Sequence, residues 1–304
     1  MAVYEQSYKR YAGPLTPEWS RFLIIPRHAY RTVFGSKLFT GFYVLCFIPL
    51  LVEAIMIYLH HNVNALGIMQ VNVVELFPID ASFFQTFTNI QGGFASLVAL
   101  LIGPPLVSRD LRNNALPLYL CRPFSRTEYV IGKMSVLLIL LSGITWVPQL
   151  LLFLFQAYLE GFGWLKTNLW LASAIFIGSF VWILLLALIS QTISALVKWR
   201  VVASGIMLGL FFVPSAFGVF VNEVFTTRIG NLLSFIGLMT NVSSGLFGTF
   251  VRTDTVMRTN FNGVLTQRLV SEPPLWASWT MLFLICTVCL ALLSRRLKAY
   301  EVVK

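Results

Sequence analysis

The sequence predicts an all-α integral membrane protein with six transmembrane helices. Three observations carry that prediction. Of 304 residues, 57% are apolar and only 11% charged, where a soluble domain carries about 25% charged residues. Several runs free of Lys, Arg, Asp and Glu reach the ~20 residues that cross a bilayer as a helix. Most of the 22 basic residues, against 12 acidic ones, fall in alternate connections, as Lys and Arg do when they gather on the cytoplasmic side. A soluble globule and a disordered chain are thereby excluded. So is a disulfide scaffold, since four cysteines staple nothing in a chain of this length. The net charge of +10 reads as topology rather than nucleic-acid binding.

Residues 1–37 are polar and basic and carry no cleavable signal pattern. Within them Trp19, Phe22, Leu23, Pro26, Tyr30, Val33 and Phe34 follow the helical 3–4 spacing, with Arg21, Arg27 and Arg31 mostly off that stripe. An amphipathic helix in the cytoplasmic headgroup layer is expected, its basic side chains meeting anionic lipid. Ile24 and Ile25 widen its apolar face, and Pro26 should kink or restart it. The plainer alternative is a basic juxtamembrane tail.

The predicted spans are Leu38–Leu59, Phe83–Val107, Val130–Tyr158, Leu169–Val197, Val201–Val221 and Leu275–Leu293. With six spans, seventeen of the 22 basic residues share one side with both termini, which orients that side to the cytoplasm. The whole chain, 1–304, reads as a single membrane domain: a tail over 1–37, a bundle over 38–293 and a basic tail over 294–304. Connections are expected at His60–Ser82, Leu159–Asn168 and Asn222–Pro274 on the outer side. The last contains Ile229–Val251, uncharged but rich in Gly, Asn and Ser. A seventh crossing there would put one basic terminus outside, so a re-entrant or interfacial helical hairpin is expected instead.

Glu53 is the sole acidic residue of a predicted span. A charge at mid-bilayer costs on the order of 3 kcal/mol. Glu53 stands about 22 Å along the helix from Leu38, at 1.5 Å per residue. That depth predicts a carboxylate near the outer headgroups, solvated or lining a pore; a proton or substrate site is the alternative. Gln85, Asn89, Gln91, Gln149, Gln156 and Gln191 should face the protein interior, bridging helices or lining a route. Glu53, Gln91, Gln149 and Gln156 are the candidates for a substrate path.

Chemical motifs are scarce. GxxxxGK[ST], HExxH and GxSxG are absent from the sequence, which removes the commonest signals for ATP binding and intramembrane hydrolysis. Cys286 and Cys289 form a CxxC inside a predicted span with no second pair, so small apolar packing is expected rather than redox or zinc chemistry. His60 and His61 are adjacent and diverge on a helix, a poor metal pair. Asn241-Val242-Ser243 matches a glycosylation sequon, a pattern that recurs by chance. Gly205 and Gly209 form a GxxxG in span five, which permits close helix approach.

Ser108–Lys133, SRDLRNNALPLYLCRPFSRTEYVIGK, is the most informative stretch. Leu111, Ala115, Leu118 and Tyr119 share a helix face, while Arg109, Asp110, Arg112, Asn113 and Asn114 occupy the rest. A short amphipathic helix along the cytoplasmic surface is expected, ending near Pro117. The plainer alternative is an inside loop that obeys the positive-inside tendency.

The same stretch resembles the permeases of type-2 ABC exporters. The match runs through Leu118, Leu120, Arg122, Pro123, Ser125, Arg126, Tyr129, Gly132 and Lys133, and the span layout extends it over essentially the whole chain. The resemblance implies a non-catalytic membrane subunit of an ATP-driven exporter. It also implies a second permease copy, identical or related, two separate ABC ATPase subunits carrying ATP and Mg, and a bacterial inner membrane. An outer-side partner protein is a further option within the family. Coupling to the ATPase would fall to Arg109, Asp110, Leu111, Arg112, Asn113, Asn114, Leu116, Leu118, Tyr119, Arg122, Pro123 and Arg126. The interfacial helix, with Trp19, Arg21, Phe22, Arg27, Tyr30 and Arg31, would abut the same partner, and the outer hairpin would roof the path between subunits. No cofactor is expected in this chain. The alternative is a stand-alone ion-coupled transporter or channel, which needs ionisable groups facing a cavity and has only Glu53.

Overall fold

The computed structural model describes residues 23–62, 78–113, 126–225, 227–259 and 265–296, with the backbone alone for 126, 253–259, 265–270 and 296. The helices are α1 (Ile24–Val33), α2 (Lys37–Leu45), α3 (Ile48–His61), α4 (Ala81–Arg112), α5 (Arg126–Ser142), α6 (Trp146–Glu160), α7 (Phe162–Leu196), α8 (Arg200–Phe225), α9 (Phe235–Leu246) and α10 (Leu275–Arg296). Six spans are long and apolar enough to cross a bilayer: Lys37–His61, Ala81–Arg112, Thr127–Glu160, Phe162–Leu196, Arg200–Phe225 and Leu275–Arg295. At one end of the bundle lie Lys37, Arg112, Arg200 and Arg295; it is called here the basic end.

Burial ranks the spans. Within its most apolar stretch α7 is 61% buried, α4 is 50% and α8 only 11%. Thus α4 and α7 form the centre of the bundle, and α8 leaves most of its apolar surface uncovered. Their contact is close because the facing residues are small. A methyl on Gly103 of α4 would run into Ser190 of α7.

Local chemistry sets the helix ends. Ser36 caps α2 by accepting from Phe39 N at 3.4 Å, Asp80 caps α4 through Phe83 N at 3.0 Å, and Ser234 caps α9 through Gly237 N at 3.1 Å. Pro26 sits in the first turn of α1, where a backbone donor would be unpaired anyway. The helix therefore starts at Ile24 without a kink. The amphipathic helix expected over 19–34 is described from Ile24 onward, and Trp19, Arg21 and Phe22 lie outside the described residues.

Three expectations are corrected. The connection between spans three and four is not a ten-residue loop: Gly161 alone links α6 to α7, with φ +96°, a conformation open to glycine. Spans one and three are each two helices, interrupted at Cys46–Phe47 and at Gly143–Thr145. Finally, the fold is not purely helical. A two-stranded antiparallel ribbon, β1 (Thr253–Thr259) with β2 (Leu265–Ser271), stands between α9 and α10, pairing Thr253 with Ser271 and Thr259 with Leu265.

The segment after α8 folds back onto the bundle. A 3-10 turn, Ile229–Leu232, precedes α9. At twelve residues α9 is about 18 Å long, too short for the ~30 Å hydrocarbon layer. Asn222 pins the turn by accepting from Gly230 N at 2.7 Å and donating to Asn231 Oδ1 at 2.9 Å. Glu272 completes the knot, accepting from Asn231 at 3.2 Å and pairing with Arg228 at 3.2 Å. Asn241 is buried, donating to Pro273 O at 3.1 Å and Ser278 Oγ at 2.7 Å, which removes its side chain from the sequon's chemistry.

Gly218 of α8 and Gly230 touch backbone to backbone, so a methyl on either would overlap the other's carbonyl. Gly218→Ala is expected to destabilise the protein by about 2 kcal/mol, the penalty of overpacking. Gly209→Ala, where nothing lies within 4 Å, should be neutral or slightly stabilising. Thermal unfolding of the two variants in detergent compares them.

Candidate functional site

Span two does not end at the membrane border but continues as regular helix to Arg112, so Arg109–Arg112 form its last turn. The expectation of a separate surface helix starting at Arg109 is corrected there. Asn113 caps the end; Asn114, Leu116, Leu118, Tyr119, Arg122 and Pro123 lie outside the described residues. Arg126 opens α5, and its side chain is not described.

The last turn is tied to span three. Asp110 accepts from the Tyr129 hydroxyl at 2.7 Å and pairs with Lys133 Nζ at 2.8 Å, on the same carboxylate oxygen. Both charged partners are largely buried, at 16% and 10% side-chain exposure. Lys133 also stands 5.7 Å over the Tyr129 ring. Sequence spacing alone links Tyr129 to Lys133 as neighbours one turn apart, and the fold brings both onto Asp110. Leu111 packs against the core, whereas Arg109 and Arg112 stay exposed, with Arg112 5.2 Å from the Trp199 ring.

Span two carries Pro104 and Pro105, which remove two helix donors. Ser194 of α7 fills the interruption. Its hydroxyl accepts from Val107 N at 2.9 Å and Ser108 N at 2.8 Å and donates to Pro104 O. Ser194 is fully buried. The last two turns of span two are thus held to span four by one side chain and to span three by an ion pair. No motif in the sequence singles out Ser194; the Pro-Pro pair was the available signal that some neighbour must supply hydrogen bonds there.

The helix α1 docks on the same region. Tyr30 donates to Val136 O at 3.0 Å, and burial pushes its phenol well above the usual range, so it stays a neutral donor. Arg27 and Arg31 are exposed.

The breaks in spans one and three face each other across Gln91. Its side-chain amide donates to Cys46 O at 3.1 Å and to Ile144 O at 2.9 Å, meeting carbonyls that the interruptions leave free. Glu53 is fully buried and accepts from Gln149 Nε2 at 2.9 Å, which overturns the expectation of a solvated carboxylate. What a residue count along the span misses is that α6 covers Glu53. Gln156 is buried one face-repeat further along α6. At the end opposite the basic one, His61 pairs with Glu160 at 3.2 Å.

A cavity of about 270 Å³ lies on the other flank of α4, between α4, α7, α8 and α9. Glu53, Gln91, Gln149 and Gln156 are not among its lining residues, although Thr145, in the break of span three, is. Cys286 and Cys289 carry free thiols in α10. Among the described residues no three His, Cys, Asp or Glu side chains converge as metal ligands.

Fold and site together define a polytopic helical membrane protein whose basic end carries a largely buried ion pair, Asp110 with Lys133. A family comparison specifies it further: the profile of the ABC-2 family transporter proteins matches residues 24–295, and the chain belongs to that family of ABC transporter permeases. No curated protein matches the sequence.

Three variants test these contacts through thermal unfolding in detergent. Gln91→Leu strands two buried carbonyls and is expected to destabilise by about 2–3 kcal/mol. Lys133→Met leaves Asp110 without its cation and should cost about 3 kcal/mol, while Lys133→Met combined with Asp110→Asn should recover part of that loss.

Proposed function

We propose that the chain is the non-catalytic, membrane-spanning subunit of an ABC exporter, a single membrane domain driven by separate ATPase subunits. One observation carries the reading beyond family membership: the charged end of span two is tied to spans three and four by Asp110 and Ser194. A push delivered at Arg109–Asn113 cannot be absorbed by that helix alone. It is passed to the centre of the bundle, which is what a subunit that receives force from a soluble partner requires.

In this reading the basic end faces the cytoplasm of a bacterial cell, following the Lys and Arg distribution. Arg109 and Arg112, with the segment that follows them and the exposed arginines of α1, form the docking ground for two ATPase subunits that hold ATP and Mg. A second permease copy, identical or related, completes the membrane part. It covers the apolar surface of α8, of which only Ala203, Met207 and Gly218 are buried within one chain. The 3-10 turn and α9 sit at the outer end and roof the path between the two copies, with export or mechanical work on an outer partner as the outcome.

The reading is tested with the tagged chain purified from its native membrane together with its ATPase. Arg109→Glu with Arg112→Glu is expected to lower the ATPase stimulation by the permease about tenfold, while the variant still inserts and survives purification. Unchanged stimulation removes the coupling role. Orientation is checked separately: a cysteine placed at Lys298 should react with an impermeant maleimide only after the cells are opened.

A further inference from the structure

The cavity beside span two has a composition that selects its occupant. Along α4 it reaches from Thr88 to Leu100, about 18 Å at 1.5 Å per residue. Toward the basic end its walls are Leu97, Leu100, Leu208 and Phe211. Toward α9 they are Thr88, Asn89, Thr240 and Ser243. The Trp182 ring closes one side, fixed by its Nε1–H donating to Gly92 O at 2.8 Å.

The polar groups differ in how far they are already satisfied. Thr88, Ser96 and Thr240 donate to carbonyls of their own helices, at 2.8, 2.8 and 2.9 Å, and keep acceptor lone pairs. Ser243 is 3% exposed and its hydroxyl has no partner. A buried hydroxyl without a hydrogen bond is costly, so a bound molecule that pairs with it gains affinity. Among the described residues no Lys, Arg, His, Asp or Glu lines the cavity. An ionised ligand would find no counter-charge there, and an uncharged one is selected.

The mouth fixes the route. Asn89, Leu97, Leu208, Phe212, Ile236 and Thr240 line the cavity and are themselves exposed. They lie on the flanks of two membrane-length helices and of α9, so in the single copy the opening meets the hydrocarbon layer rather than bulk water, and in a paired complex its α8 side borders the second copy. We propose that this cavity is a binding site, complete within one copy of the chain, for an uncharged membrane amphiphile. The ligand is a hydroxyl- or amide-headed molecule that sets its polar group against Ser243 and its apolar body along Leu97, Leu100 and Phe211. Binding requires neither the ATPase nor a second permease, so it stands or falls independently of the exporter reading.

Glycine geometry supplies a clean test. Gly93 lines the cavity, and a Cβ there meets nothing within 4 Å, so a larger side chain can start from this position without a clash at its first carbon. Gly41, on span one, is equally unhindered but lies outside the cavity and serves as the control. The full chain in detergent is photolabelled with a diazirine-bearing monoacylglycerol, and the labelled peptides are mapped by mass spectrometry. Label is expected on the stretches around Gly92–Leu100 and Leu208–Phe212. It should fall about tenfold in Gly93→Leu and stay unchanged in Gly41→Leu. Ser243→Ala, which removes one hydrogen-bonding group, should weaken half-maximal labelling about fivefold. A carboxylate-headed diazirine fatty acid should label several-fold less. Absence of label on these stretches, label indifferent to Gly93→Leu, or equal labelling by the fatty acid overturns the proposal.

Discussion

Inside a bilayer every interrupted helix must find its missing hydrogen bonds within the protein, and this fold is organised around that requirement. The helical hydrogen-bond ladder is broken at Cys46–Phe47, at Gly143–Thr145 and at Pro104–Pro105, besides the single Pro214 of α8. The first two face each other and share one donor, Gln91. The third is served by Ser194. In both cases a side chain from a neighbouring helix stands in for backbone groups, so each break becomes an interhelical bond. Span two takes part in all three, which explains why it lies at the centre with α7 despite its two prolines.

The sequence makes the gross architecture legible because its signals are additive. Twenty apolar residues in a row and an asymmetric set of Lys and Arg give the same six spans that the fold contains. Positions that depend on a single partner are illegible. Glu53 reads from its depth as a solvated carboxylate, yet Gln149 and the rest of α6 enclose it. Residue counting along one helix cannot reveal a neighbour about a hundred positions away. The surface helix expected from Arg109 onward fails at its start for a related reason. Asp110 finds Lys133 and Tyr129, and these contacts hold the final turn of span two in helical register.

The ribbon between α9 and α10 is a different kind of miss. Asn262-Gly263 sits between two stretches that carry β-branched residues two apart, Thr253 and Thr255 on one side and Val264 and Thr266 on the other. That pattern is a strong short-range signal for a hairpin. It is overshadowed when a chain is scanned for twenty-residue apolar runs, because the strands are only seven residues each. The cavity was not legible at all. Its walls come from α4, α7, α8 and α9, and the glycines that leave the space open look from sequence like ordinary sites of helix approach.

Gly161 has a consequence for motion. With one residue between α6 and α7, the two helices cannot swing apart as a hinge of several residues would allow. Any change of angle between the outer half of span three and span four falls on the torsions of Gly161 alone. Span three has a second joint at Gly143–Thr145, but Gln91 holds Ile144 O there, and Ser194 ties span four to span two. A tilt of the corner between α6 and α7 therefore draws span two along with it.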